Sequence, residues 1–133
     1  MNHQELYELA NSARRRSYAP YSHFTVGAAL LTKSGKIYLG CNIENAAYGA
    51  VNCAERTAFF TAIREGEREF SAIAIAGGRE GQPSELCAPC GICRQVMAEF
   101  CSADFEIVLG TPEEVKIYRL EELLPLSFTK DNL

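Results

Sequence analysis

Long apolar runs are missing from this 133-residue sequence. The longest, such as Val26 to Leu31, fall far below the roughly 18 residues that a membrane-spanning helix needs. A positive excess is missing too: thirteen Lys and Arg stand against seventeen Asp and Glu, a formal charge of −4. Proteins that grip phosphate backbones carry a basic face, so no nucleic-acid partner is expected. The only basic cluster, Arg14-Arg15-Arg16, reads as the solvated end of a first helix, where cations complement the negative end of the dipole. The opening residues Asn2, His3, Gln4 and Glu5 carry neither the basic start nor the apolar segment of an export signal. The expectation is a cytoplasmic protein with no membrane partner. Internal repeats, linkers and low-complexity tracts are also lacking. With 47% hydrophobic and 23% charged residues, the composition is that of a folded globular chain, and disorder is excluded. The length suits one domain spanning 1–133.

Histidine is scarce and cysteine is not. Two histidines, His3 and His23, accompany six cysteines. In a reducing compartment, clustered cysteines more often bind metal or act in catalysis than form disulfides. Any metal site here must be rich in thiolate, which favours zinc or iron–sulfur over magnesium or calcium.

The hydrophobic pattern predicts the element order. Leu6, Leu9, Ala10 and Ala13 recur at helical spacing within Gln4–Arg16. Ser17 to Ser22 forms an ordered turn. Phe24–Leu31 and Ile37–Cys41 read as a hairpin closed by Lys33-Ser34-Gly35-Lys36. A polar loop follows, then a helix capped by Asn52, with Glu55 three residues later as in a capping box, running to about Glu65. Phe70–Ala76 is a strand buried on both faces. Pro89 opens another helix, which ends near Phe100. Phe105–Leu109 and Val115–Tyr118 are further strands, and Arg119–Leu124 is a helical turn. This order implies one mixed sheet sandwiched by helices.

Two segments carry chemistry: Cys53-Ala54-Glu55-Arg56 and Pro89-Cys90-Gly91-Ile92-Cys93. Each opens a predicted helix. A cysteine in a first helical turn faces unpaired N–H groups and the positive dipole end, both of which lower its pKa. Cys53, Cys90 and Cys93 could therefore hold one zinc ion with the fourth tetrahedral position open, the mark of a catalytic site. Glu55 is then better placed as a proton carrier than as a ligand. It lies about 200° around the helix from Cys53, but a ligand off the helix end is reachable from all sides. The plainer alternative is that Glu55 merely completes the cap at Asn52. Cys41 and Cys101 read as small core residues. Cys87 leaves a second possibility open, because a fourth thiolate would close the shell and make the metal structural.

These segments resemble the zinc-dependent cytidine deaminase superfamily, whose zinc and glutamate chemistry is established for the class. Across nearly its whole length the chain is similar to the small three-cysteine type that acts on free nucleosides. The match runs through Pro20-Tyr21-Ser22-His23-Phe24 with Val26-Gly27-Ala28-Ala29 and through Asn42-Ile43-Glu44-Asn45-Ala46 with Tyr48-Gly49. It continues through Cys53-Ala54-Glu55-Arg56 and Pro89-Cys90-Gly91-Ile92-Cys93-Arg94-Gln95. The resemblance implies an α/β three-layer sandwich with one mixed five-stranded sheet flanked by helices. It implies zinc on Cys53, Cys90 and Cys93, with Glu55 moving protons as cytidine or deoxycytidine becomes uridine or deoxyuridine and ammonia leaves. It places Asn42 and Glu44 on the ribose hydroxyls, Phe24 near the base, and the backbone at Ala54 on the pyrimidine edge. It further implies a homotetramer with shared active sites, to which Phe128 and Tyr48 contribute.

Arg56 has a physical role of its own. Three thiolates on a divalent ion leave a negative centre, and a guanidinium donating to the sulfurs restores part of the Lewis acidity. Arg56 follows Cys53 by three positions and so shares its face. A polynucleotide-editing deaminase is disfavoured by the acidic balance and by the short chain with no evident strand-binding insertion, and two other rival functions remain at this point. A blasticidin-type deaminase would use the same zinc site on a nucleoside antibiotic. A non-catalytic zinc-stabilised scaffold would need metal to fold but would not turn over.

Overall fold

The computed structural model describes residues 1–133. Helix α1 (His3–Ala13) begins where the Asn2 side chain accepts from the Glu5 N–H at 2.8 Å, and a 3₁₀ turn over Arg14–Arg16 ends it. Strands β1 (Phe24–Thr32) and β2 (Ile37–Cys41) form the expected hairpin, with Gly35 at φ +94° in its turn, where a side chain would be strained. The remainder is α2 (Ala54–Arg64), β3 (Phe70–Arg79), α3 (Gly91–Phe100), β4 (Glu106–Gly110), β5 (Val115–Arg119) and α4 (Leu120–Leu123). No helix is long and apolar enough to cross a membrane.

One five-stranded mixed sheet, in the order β2-β1-β3-β4-β5, makes the middle layer. Only β3 and β4 run parallel; the other neighbours are antiparallel. Side chains alternate across it as strand geometry demands. Ala28, Leu30, Ile73, Ile75, Ile107 and Leu109 point to one face, where α2, α3 and α4 pack. Ala29, Ala72, Ala74, Ala76 and Val108 point to the other, where α1 lays down Leu6, Tyr7 and Ala10. The α/β three-layer sandwich is thus present, and β3 is buried on both faces as its apolar sequence predicts.

Two glycines set how closely helices approach the sheet. A Cβ on Gly27 would lie 2.0 Å from the Ala10 carbonyl oxygen, and one on Gly40 would lie 2.2 Å from that of Ala54. The second approach brings the first turn of α2, which carries Glu55, down onto β2.

Several local expectations are corrected. β3 runs on to Arg79, because Gly77 and Gly78 pair with Val26 and Thr25. Asn52 does not cap α2; Cys53 is the N-cap residue, and the Asn52 amide donates instead to Thr57 Oγ1 at 3.0 Å. Pro89 lies before α3, whose N-cap is Cys90. Arg14 is no solvated terminus. It is 8% exposed, and its guanidinium donates to the carbonyls of Thr25 and Arg79 and to Asn11 Oδ1, each at 3.1 Å. Those bonds satisfy carbonyls where α1, β1 and β3 meet, which a helix-end reading of charge does not foresee. Arg15 and Arg16 are exposed as expected.

Candidate active site

Helices α2 and α3 lie on the same face of the sheet with their N-termini converging. Cys53 and Cys90 are the two N-cap residues, and Cys93 sits in the first turn of α3. Their three sulfurs lie within 4.8 Å of one another, and Cys53 Sγ is 3.7 Å from Cys90 Sγ. All six cysteines are free. A separation of 3.7 Å is far too long for a disulfide. It equals the edge of a tetrahedron whose centre lies about 2.3 Å from each corner, the Zn–S distance. Donor type and spacing therefore fit one zinc ion held by Cys53, Cys90 and Cys93.

Cys87 stands apart from this cluster. Its Sγ packs over the bare Cα of Gly77, where a Cβ would come within 2.7 Å of it, and burial pushes its thiol up to about 11. Cys101 is packed against the core, its thiol raised by burial to about 12, and Cys41 is half-buried on β2.

Within the cluster the negative charge falls on Cys53, while the hydrogen bond to Cys53 and burial hold the Cys93 thiol well above its usual range. Hydrogen bonding with the Cys93 thiol, and then with Arg56, draws the Cys53 thiol down to about 5. Arg56 Nη2 donates to Cys53 Sγ at 3.2 Å, so the shared helical face anticipated from the sequence brings the two into contact. Arg56 Nε is buried without a partner, a cost that neighbouring anionic sulfurs offset.

Glu55 is 4% exposed. Burial, reinforced by the nearby Cys53 charge, pushes its carboxyl up to about 7. A carboxyl engaged in a helix cap would be held ionised and solvated, so the capping alternative fails on burial as well as on the Asn52 geometry. Glu55 faces a cleft of about 580 Å³ together with Cys53, Cys90 and Ala54. That volume lies within the range of small-ligand sites.

Asn42, Glu44 and Tyr48 line the same cleft. The Asn42 amide already bridges β1, accepting from the Val26 N–H and donating to the Phe24 carbonyl, both at 2.9 Å. Glu44 accepts from the Tyr21 and Ser22 N–H groups at 3.0 and 3.2 Å and from the Ser22 hydroxyl. These bonds, the Ser22 hydroxyl first, hold its carboxyl below the usual range. Phe24 is not itself a cleft residue: it lines a smaller pocket of about 470 Å³ with Arg79 and Pro83, and its ring reaches Gly77 beside Cys87, which does line the cleft. Phe128 is 61% exposed and outside the cleft, its carbonyl accepting from Gln95 Nε2 at 2.8 Å.

Tyr21, Ser22 and Val51 also line the cleft and were not singled out from the sequence. Tyr21 meets Tyr48 edge-on, with ring centroids 6.3 Å apart. The available signal was the Pro20-Tyr21-Ser22 turn, whose free N–H groups need an acceptor such as the Glu44 carboxylate.

An α/β sandwich with three clustered cysteine sulfurs and a buried carboxyl at one cleft defines a class of zinc-site proteins. Residues 1–109 match the model of the cytidine and deoxycytidylate deaminase zinc-binding region, and the chain belongs to that family. It is 47% identical to a cytidine deaminase of Sporosarcina psychrophila, with 100% of this chain and 96% of the relative covered. It is 48% identical to a cytidine deaminase of Halalkalibacterium halodurans, covering 100% and 98%. The crystal structure of a cytidine deaminase from Burkholderia pseudomallei superposes with a TM-score of 0.88 at 49% identity, over 96% of this chain and 100% of that one.

Proposed function

We propose that this chain hydrolytically deaminates cytidine and deoxycytidine to uridine and deoxyuridine, with release of ammonia. The observation that carries the reading is Glu55, a carboxyl poised near 7 beside three thiol ligands at the floor of a nucleoside-sized cleft. Zinc, when bound by Cys53, Cys90 and Cys93, supplies the Lewis acid that makes a water nucleophilic near neutral pH. Glu55 takes a proton from that water and passes it to N3 of the pyrimidine. As the water oxygen bonds to C4, its remaining proton passes by way of Glu55 to the amine, and the C4–N bond breaks to release ammonia as the C4 carbonyl forms. A carboxyl matched to neutral pH performs both transfers at little cost. Arg56 tempers the charge of the sulfurs through its bond to Cys53. Asn42 and Glu44 take the ribose hydroxyls with the acceptor and donor capacity that their existing bonds leave free. The backbone at Ala54 meets the pyrimidine edge, and Phe24 packs near the base.

The unit that acts is the whole span 1–133, since both helix layers share one sheet. It works as a cytoplasmic homotetramer in pyrimidine salvage, with Tyr48 and Phe128 reaching a shared active site. Support comes from the exposed apolar side chains Tyr48, Leu86, Ile92 and Phe128 on segments bordering the cleft or the cysteine loops. Cytidine deaminase names among full-length relatives at 47–48% identity favour plain nucleosides over a blasticidin-type substrate.

The test is uridine formation from cytidine by zinc-replete protein, with Glu55→Gln alongside. Turnover by the parent and a loss of about 10³-fold or more in the variant is expected. Conversion of blasticidin without conversion of cytidine would move the reading to the antibiotic deaminase. One bound zinc per chain with no turnover of either would leave the scaffold. For the shared site, removal of residues from Ser127 onward weakens nucleoside binding more than zinc binding; equal nucleoside affinity would count against it.

A further inference from the structure

Cys90 is the exposed member of the sulfur cluster. Cys93 is locked by burial at 1% exposure, and Cys53 receives the Arg56 guanidinium. Cys90 has neither restraint. It stands at the head of α3 in an extended conformation, φ −69° and ψ 168°, with no side-chain bond to the helix. The peptide before it, however, is held. Arg94 Nε donates to the Pro89 carbonyl at 2.8 Å, and Nη1 of the same guanidinium donates to the Leu123 carbonyl at 2.7 Å.

Leu123 is the last residue of α4. One rigid, planar fork therefore ties the residue preceding Cys90 to an element 29 positions beyond Arg94. Both bonds are charge-assisted and short, the stronger kind of hydrogen bond to a carbonyl. A lysine has a single flexible ammonium and cannot reproduce the fork. The adjoining Gln95 offers an internal contrast: its amide donates to the Phe128 carbonyl at 2.8 Å and makes no side-chain hydrogen bond to the cysteine loop.

We propose that Arg94 is a positioning residue for the metal centre, bracing the Pro89–Cys90 peptide against the end of α4 so that Cys90 Sγ stays within reach of Cys53 and Cys93. The proposal rests on the zinc reading above. Loss of a partner that orients a ligand typically costs 10–100-fold in metal affinity, and the least restrained ligand is where such a loss shows most.

The test follows zinc loss from the loaded protein to an excess of chelator, for the parent, Arg94→Met, Arg94→Lys and Gln95→Met. Arg94→Met is expected to release zinc roughly 10–100-fold faster than the parent. Arg94→Lys falls between them, and Gln95→Met keeps the parent rate. A second readout is the cobalt(II)-substituted protein, whose sulfur-to-metal charge-transfer band shifts in Arg94→Met and not in Gln95→Met. The parent release rate in Arg94→Met, or an equal acceleration in Gln95→Met, overturns the proposal; the latter would mean that α3 had loosened generally. If Arg94→Met does not fold, the contrast of Arg94→Lys with Gln95→Met decides. A parent chain that retains no zinc overturns the metal reading and this proposal together. A parent that retains it with Arg94→Met unchanged overturns this proposal alone.

Discussion

The two faces of the sheet are built to different ends. Toward α1 the strands present Ala29, Ala72, Ala74 and Ala76, and toward α2 and α3 they present Leu30, Ile73, Ile75 and Ile107. Small residues let α1 lie flat and close, so that face is a dry seam whose polar groups serve one another. Tyr7 Oη, for example, donates to the Gly110 carbonyl at 2.9 Å. On the opposite face larger side chains support two helices whose N-termini meet at Cys53 and Cys90, and those ends line the cleft. Close packing without orphan groups gives rigidity. Converging helix starts give uncompensated donors, and those are where thiolates and a buried carboxyl become useful.

The largest expected effect sets the same clash on both faces. Gly27→Ala drives a Cβ into the Ala10 carbonyl, and Gly40→Ala drives one into that of Ala54. Each should destabilise by about 3 kcal/mol or more, read as a fall in Tm. Their consequences should then part. Folded Gly27→Ala keeps its bound zinc and its turnover, whereas Gly40→Ala displaces the first turn of α2 and weakens both, which zinc stoichiometry and kcat would report. Equal zinc loss in the two would break the comparison.

A second prediction concerns the buried carboxyl in metal-free protein. Glu55 has its folded pKa raised to about 7 from 4.5, so the folded chain binds the proton more tightly than the unfolded one. The stability due to Glu55 is present below about pH 4.5 and is lost as pH rises through about 7. Glu55→Gln removes this dependence. Metal-free variant should gain on metal-free parent between those pH values, reaching up to roughly 3 kcal/mol above pH 7. Urea titrations at several pH values would show it, and a constant gap would rule it out.

Arg14 sharpens the description of the α1 seam. Arg14→Met strands the carbonyls of Thr25 and Arg79 and should cost about 2 kcal/mol. Exposed Arg15→Met should stay within about 0.5 kcal/mol, and comparison of the two melting curves tests the difference. The smallest effect is expected at Cys87→Ser, outside the sulfur cluster. It should retain one zinc per chain where Cys90→Ser does not, and zinc loss equal to that of Cys90→Ser would return Cys87 to the ligand set.

Much of this was legible from residue order alone. The short, almost wholly apolar run of Phe70–Ala76 identified a strand covered on both sides, and the 3.6-residue pattern of Leu6, Leu9, Ala10 and Ala13 identified the helix that covers one of them. The motif cysteines and Glu55 could be named because their residue types and positions at helix starts already constrain the chemistry. Such signals are local: they depend on neighbours a few positions away.

What depended on distance in space became known only in the folded chain. Cys87 and Cys90 are three positions apart, yet one packs over Gly77 and the other joins Cys53, 37 positions away. Charge at a helix end reads as solvated until β1 and β3 present carbonyls to Arg14. Glu44 is expected on the ribose hydroxyls, and only the fold brings the N–H groups of the 21–22 turn to its carboxylate. The physical reason is common to all three: periodicity assigns a residue to a face, but strand order and the glycines that admit a close helix decide which other residues that face meets.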